Sequence, residues 1–352
     1  MKPVSETSPP TIREVAKQAS VSPGTVSRVL NNSPLVSEST RQRVLQVVEE
    51  LDYHPNLMAQ RLSIGKTLRI AAIVPFFTRP AEAERLRGVV GALSESQYDL
   101  VIYNVETPEQ RDQYFRQVPL KERVDGVIVI SLPPTEEAVE RLSEAKVPLV
   151  FIDVQHPGLS NFDRISGDDR NGGRMATRYL ISLGHRNIAF IGDEPDSDFH
   201  FTSSHDRLQG FQDALEEAGI SSQPNYIAQD KPDRYAARQQ AEHILESGDR
   251  PTAIFAASDT QAMGVLAAAR NTGIFVPDEL SVIGYDDIEI SEYLGLTTIR
   301  QQLYETGQLG VELLLNRILN PNLEVAEHQI QAELLIRETT KPLHKSESQI
   351  NK

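Results

Sequence analysis

Residues Thr11–Leu30 read TIREVAKQASVSPGTVSRVL, and their spacing decides how the start of the chain folds. Ile12, Val15 and Ala16 recur at helical intervals, Ala19-Ser20-Val21 breaks the pattern, and Val26, Val29 and Leu30 resume it. This predicts two short helices joined by a tight turn. Ser22 is placed to accept the free N–H groups of the second helix, and Pro23 stands at its first position, where a missing N–H costs nothing. The outward positions Pro23, Gly24, Ser27 and Arg28 carry almost no apolar bulk, while Val26, Val29 and Leu30 can pack on Val15 and Ala16. A helix packed on one side and small or hydrogen-bonding on the other can enter a DNA major groove. A plain helical hairpin with a solvated face is the alternative at this point.

Downstream, Asn31-Asn32-Ser33-Pro34 is a turn signal, and a longer helical pattern runs from Ser37 to Leu51. Ser37 or Ser39 could cap it, and Val44, Leu45, Val47, Val48 and Leu51 form a stripe that closes a three-helix head. Arg41 and Arg43 could reach phosphates or remain solvated. Pro55 disfavours helical geometry at His54 and ends the head. Residues 57–63, LMAQRLS, are helical in composition but too short to be stable alone, so they are expected to fold only when held. The expected division is a head over 1–55 and a hinge helix with linker over 56–67.

From Leu68 the texture changes to short apolar strands alternating with amphipathic helices. Strands are expected at 68–75, 99–104, 126–130 and 149–152, with helices near 84–94 and 136–145. After Asp168 the rhythm restarts, with strands at 188–191, 253–257 and 280–284 and helices around 173–183, 207–218, 234–247 and 260–271. This βαβ alternation predicts an α/β body of two doubly wound parallel-sheet lobes.

Composition narrows the function classes. The chain has 352 residues, 39% of them hydrophobic, enough for substantial cores in two or three domains. It has no cysteine, which excludes disulfides, thiolate zinc sites and cysteine nucleophiles. MKPVSETSPP lacks the apolar core of a signal peptide, and no run approaches the roughly 18 apolar residues of a membrane span. A cytoplasmic protein with no membrane partner is expected. The net charge of −15 is unevenly spread: residues 1–67 carry eight bases against six acids, net +2, which leaves −17 for the rest. A near-neutral to basic head on an acidic body is compatible with DNA binding.

In series, TIREVAKQASVS, TVSRVLN, VSESTRQRV, the LDYHPN turn and a hinge carrying Ala59 and Leu62 resemble the DNA-binding head of the lactose-repressor (LacI/GalR) family. The resemblance extends through LGHRNIAFIG, RLQGFQDALEEAGI, PTAIFAASDTQAMGVL, VPDELSVIGYDD and LTTIRQQ, and so covers the chain from Thr11 to about Glu338. It implies a helix-turn-helix head, a hinge helix and a two-lobe effector-binding and dimerisation domain of periplasmic-binding-protein type I over 68–340. The first lobe would comprise 68–165 and 295–325, the second 166–294 and 326–340. The tail, 341–352, is polar and lacks a leucine heptad, so a homodimer without a tail-built tetramer is expected.

By the same resemblance, Pro23 and Gly24 occupy the main base-reading positions, with Thr25, Ser27, Arg28 and Asn31 nearby and Thr11 and Ser22 toward phosphates. Pro and Gly offer no side-chain hydrogen bond, so specificity must lean on Arg28, on thymine methyls or on close backbone approach. Asn56, Ala59 and Leu62 would act at the hinge, Leu62 as an apolar wedge in the minor groove or as packing across the dimer. For the effector, open α/β lobes bind ligands at the carboxyl ends of their strands. The implied residues are Phe76, Phe77, Thr78 and Arg79 after the first strand, Asp153 in FID, Phe201 and Ser203, Arg207 in RLQGF, Ser258 and Asp259 in ASD, Asp286 in GYDD, and Gln301 after LTTIR.

Aspartates with an arginine fork suit a polyhydroxyl ligand, so a sugar or sugar derivative is the first expectation. Asp286 and Asp287 could instead be turn residues, and Asp259 could cap the helix starting at Thr260. Ser258 stands where many sugar-binding members have Asn, and Phe201 and Ser203 stand where purine-binding members present Arg and Thr. Arg79 could favour a phosphorylated or acidic sugar, or be an exposed loop residue. Effector closure would rotate the first lobes and change the spacing of paired hinges on operator DNA.

Other classes fare worse. Ser204-His205-Asp206 contains triad residue types, but adjacent residues do not thereby face one another. Asp193, Glu194, Asp196 and Asp198 could bind a cation or form a solvated acidic loop, and His185 reads as a structural turn residue. No metal, cofactor or enzymatic activity is expected. A sugar-transport component would share the two lobes but not the head. A phosphorylated carrier protein docking on the body is the alternative to a small effector.

Overall fold

The computed structural model describes residues 10–30, 33–54, 65–195, 199 and 201–343. Asn31, Asn56, Ala59, Leu62 and the expected hinge helix lie outside them. The chain divides into two compact units, residues 1–67 and 68–352.

In the first unit, α1 (Ile12–Gln18), α2 (Pro23–Leu30) and α3 (Glu38–Glu50) form the head. Thr11 starts α1 through a capping box with Glu14. The turn into α2 places Ser20 at φ 55°, and the Val21 N–H donates to Ala16 O at 2.9 Å. Ser22 starts α2 as expected, its Oγ accepting from Thr25 N at 3.1 Å. Ser37 precedes α3, but its hydroxyl donates to Thr40 Oγ1 and does not cap the backbone. Val15, Ala16, Ala19, Val26, Val29, Val44, Val47 and Tyr53 are buried together. Each fully buried valine contributes about 1.5–3 kcal/mol. Arg41, expected to reach a phosphate or remain solvated, donates to Val29 O and Ser33 O and ties α3 to the end of α2.

The second unit contains two six-stranded sheets. In the first lobe the chain runs β1 (Arg69–Pro75), α4 (Pro80–Leu93), β2 (Asp99–Val105), α5 (Pro108–Gln117), β3 (Gly126–Ile130), α6 (Glu136–Ser143), β4 (Leu149–Ile152) and β5 (Asp163–Gly167). The second lobe follows with α7 (Asp169–Ser182), β6 (Ile188–Asp193), α8 (Ser203–Glu217), β7 (Ile227–Asp230), α9 (Arg234–Leu245), β8 (Ala253–Ala256), α10 (Asp259–Thr272), β9 (Ser281–Asp286), α11 (Glu289–Tyr293) and β10 (Thr297–Arg300). Then come α12 (Leu303–Leu319), β11 (Glu327–Ile330) and β12 (Glu333–Leu335). The sheet orders are β11-β5-β4-β3-β1-β2 and β12-β10-β9-β8-β6-β7. Among the described residues, only β12 runs antiparallel to its neighbour.

The two faces of β1 show why its run is uniformly apolar. Ala71 and Ile73 pack with Phe115 of α5 and Leu142 of α6, while Ile70, Ala72 and Val74 pack with Val89 of α4 and Val311 of α12. A strand covered on both sides cannot alternate apolar with polar. Glycines let helices meet backbone to backbone: a Cβ on Gly307 would lie 2.1 Å from Arg85 O, and one on Gly210 would lie 1.9 Å from Arg170 O.

The expected lobe limits need correction. β10 pairs with β9, so 297–300 belongs to the second lobe, and the chain returns to the first only with α12. β11 pairs with β5, so 327–330 belongs to the first lobe, and β12 makes the final crossing. These short strands have too few residues for a periodic pattern.

Candidate functional site

The head presents the outer side of α2. Ser22, Pro23, Gly24 and Arg28 are exposed, Thr25 and Ser27 half-buried. Around Gly24 the nearest atoms to an added Cβ are Arg28 Nη2 and Ser22 Oγ, both at 3.8 Å, so the first turn is open to close backbone approach. Thr11 behaves differently. Its hydroxyl donates to Glu14 Oε2 at 2.9 Å, so a phosphate contact there would have to displace that carboxylate.

In the body, a cavity of about 830 Å³ opens between the carboxyl ends of the two parallel sheets. Six non-glycine residues with positive φ stand at these strand ends: Phe76, Ser131, Asp153, Asp286, Asp287 and Gln302, between 43° and 121°. Such backbone is unfavourable unless its surroundings hold it, and it concentrates at ligand sites. Of the six, Ser131, Asp153 and Asp286 line this cavity, while Asp287 pairs with Arg337 and Gln302 donates to Gln331 O.

The first-lobe wall is ionic. Arg85 Nη2 lies 2.8 Å from Asp153 Oδ2, its Nη1 donates to Ser131 Oγ at 3.1 Å, and Glu82 lies 3.6 Å from it. Arg79 stacks over the Phe76 ring at 3.9 Å. On the second-lobe wall, Arg207 donates to Asp169 Oδ1 at 2.8 Å and to Ala257 O at 2.6 Å, and its guanidinium lies 3.8 Å from the Tyr285 ring centroid. Burial alone would lower its pKa, but Asp169, Tyr285 and Asp286 hold it above the usual range and charged. Gln301 Nε2 donates to Asp286 Oδ1 at 2.6 Å. Burial pushes the Asp286 carboxyl up to about 8 despite the opposing pull of Arg207. Asp193, raised chiefly by burial, accepts from Gln261 Nε2 at 2.9 Å.

Of the expected effector residues, Arg79, Asp153, Phe201, Ser203, Arg207, Ser258, Asp286 and Gln301 line this cavity. Phe76 lines an adjoining one of about 850 Å³, where Phe199 stacks on Phe201 with centroids 5.3 Å apart. Phe77 and Thr78 are exposed and line neither. Asp259 is a correction. It is fully buried and accepts from Ile288 N, Ser291 Oγ and Thr298 Oγ1, which lock α10 to α11 and β10 behind the cleft. Nor does it cap its helix; Ser258 does, accepting from Gln261 N.

Glu82, Arg85, Ser131 and Asp193 were not among the expected residues, yet they line the cavity. Glu82 and Arg85 had a signal, an i,i+3 charged pair on a helix that follows a buried strand. Asp193 belongs to the cleft wall, not to a solvated loop; Asp196 and Asp198 lie outside the described residues. Ser204 Oγ accepts from Asp193 N at 2.8 Å, a structural tie. His185 is buried among Thr252, Ser281 and the Lys341 carbonyl, the structural role expected of it. Among the described residues no helix is long and apolar enough to cross a membrane.

A three-helix head with an exposed polar helix, followed by two doubly wound lobes around a polar cleft, defines a ligand-responsive DNA-binding regulator. Residues 11–56 match the lacI family of bacterial regulatory proteins, and residues 177–340 match a periplasmic binding protein-like domain. The HTH-type transcriptional repressor PurR of Aliivibrio salmonicida is 33% identical over 95% of this chain and 99% of its own length. The ribose operon repressor of Haemophilus influenzae is 35% identical over 94% and 98%. The chain belongs to the LacI family and is a DNA-binding transcriptional regulator. A lac repressor dimer bound to operator and the anti-inducer ONPF matches with a TM-score of 0.82 and 28% identity, over 95% of this chain and 100% of that one. A complex of the regulator CelR with cellobiose matches with 0.69 and 30%, over 94% and 99%.

Proposed function

We propose that the chain is a repressor that binds a palindromic operator as a homodimer and that a sugar-like effector in the interlobe cleft alters this binding. The DNA contacts fall to Ser22, Pro23, Gly24, Thr25, Ser27 and Arg28, with Thr11 and Asn31 beside them and Asn56, Ala59 and Leu62 at the hinge. The effector contacts fall to Asp153, Asp286, Arg207, Gln301, Arg79, Phe201, Ser203 and Ser258.

One observation carries the effector reading: carboxylates and arginine forks from both lobes line a single cleft at the strand ends. A carboxylate accepts two neighbouring hydroxyls, and a guanidinium holds hydroxyl or ring oxygens in its fork. The cellobiose named for the structural relative CelR supports a sugar. Coupling between cleft and operator is reciprocal, so each ligand changes the affinity of the other by one factor. A thermal-shift screen of sugars and sugar phosphates, followed by operator binding with each hit, tests this. Hits that leave operator affinity unchanged contradict effector control.

A further inference from the structure

The cleft holds more acid than base. Glu82, Asp153, Asp193 and Asp286 line it against Arg79, Arg85 and Arg207. Arg207 is drawn further toward Asp169, its nearest carboxylate at 2.8 Å, and Arg85 toward Asp153 at the same distance. Glu82 at 3.6 Å and Asp286 at 3.8 Å are therefore second partners of guanidiniums already engaged.

Two buried atoms on the first-lobe wall have no hydrogen-bond partner: Glu82 Oε2, which needs a donor, and Arg85 Nε, which needs an acceptor. Buried polar atoms in native proteins are almost always satisfied, and an orphan pair on a ligand cleft calls for an explanation. A neutral sugar offers both donor and acceptor but leaves the surplus of carboxyls over guanidiniums to be balanced by bound protons. A phosphate or carboxylate would add to it. Among the described residues no three carboxylate or imidazole groups are grouped to hold a metal ion, so the compensating charge falls to an organic group.

The geometry points to an effector that carries a protonated amine on a polyhydroxyl frame, an amino sugar or close relative, with its ammonium against Glu82 and its hydroxyls shared among Arg85, Asp153, Asp286 and Arg207. This rests on the reading of the cleft as a sugar site and narrows it. Burial pushes the Asp286 carboxyl up to about 8, so at pH 7 it holds a proton that a neighbouring ammonium displaces, and burial raises Glu82 and Asp193 in the same direction.

The test is calorimetry on the full chain at pH 7, in two buffers of different ionisation enthalpy. The probes are glucose, galactose and mannose with their 2-amino-2-deoxy, N-acetylated and 6-phosphate forms. At least one amino sugar should bind about tenfold or more tightly than both its parent and its N-acetyl form, with heats that differ between buffers as protons leave. Glu82→Gln should weaken that amino sugar about tenfold and its parent less than about threefold. A parent or N-acetyl form that binds as well as the amino sugar, or a 6-phosphate that binds better, overturns the amine and leaves the sugar reading standing. No binding by any probe overturns both. The ranking on the unmodified chain decides even if the variant fails to fold.

Discussion

Replacing Arg207 by methionine removes the charge at the centre of the second-lobe wall while keeping much of the side chain's bulk. Arg207 is 6% exposed and bonds Asp169 and the Ala257 carbonyl at 2.8 and 2.6 Å. Breaking a buried ion pair from one side costs about 3–5 kcal/mol, because the remaining carboxylate is left without compensation. At about 2–4 °C per kcal/mol for a unit of this size, the melting temperature of the body should fall by about 6–20 °C. The loss should depend on pH. With Arg207 gone, Asp169 and Asp286 lose the cation that favours their charged forms, so their pKa values rise further and their neutral forms are favoured in the fold. The variant's deficit should therefore be smaller at pH 5 than at pH 8. Adding Asp169→Asn should recover part of the loss, with a coupling of about 0.5–3 kcal/mol. Calorimetric melting of the four proteins of this cycle gives all these quantities. A deficit below about 1 kcal/mol at pH 7, or additive losses in the double variant, would refute the account of the pair.

Asp286 has a folded pKa of about 8, raised by burial from an unfolded value near 3.9. The fold favours its neutral form, so its stability contribution is complete below about pH 4 and is lost as pH rises through about 8. Asp286→Asn should flatten the fall in melting temperature between pH 5 and 8.5, and an unaltered slope would contradict this. In the head, Arg28→Ala should cost about 1–3 kcal/mol of operator affinity and relax preference at one base position per half-site. Uniform weakening across operator sequences would make Arg28 a phosphate contact instead. Gly307→Ala places a methyl 2.1 Å from Arg85 O and should destabilise the first lobe by about 1–3 kcal/mol or more. A neutral effect in a denaturant titration would show that α12 can shift without loss.

Local physics made some elements legible and left others hidden. Ser22, Pro23 and the apolar period around Val26 and Val29 determine where α2 begins and which side it buries, and all are neighbours in sequence. The long buried strands are legible because both faces must be apolar. β10, β11 and β12 have three or four residues each, and their sheet membership depends on partners far along the chain. The cleft divides in the same way. Asp286 and Asp259 both follow strand-like runs, yet one faces the cavity and the other is taken up by Ser291 and Thr298. Glu82 and Arg85 look like ordinary charges at the start of an amphipathic helix. Only the crossing of α4 behind the β1 strand end brings them to Asp153.

In the proposed repressor, occupancy of the cleft and occupancy of operator DNA are one linked equilibrium. The most direct measurement is the affinity of the sugar giving the largest thermal shift, determined by calorimetry on the full chain with and without saturating operator. The two affinities should differ, by the same factor by which that sugar changes operator affinity. Identical sugar affinities in the presence and absence of operator would contradict it.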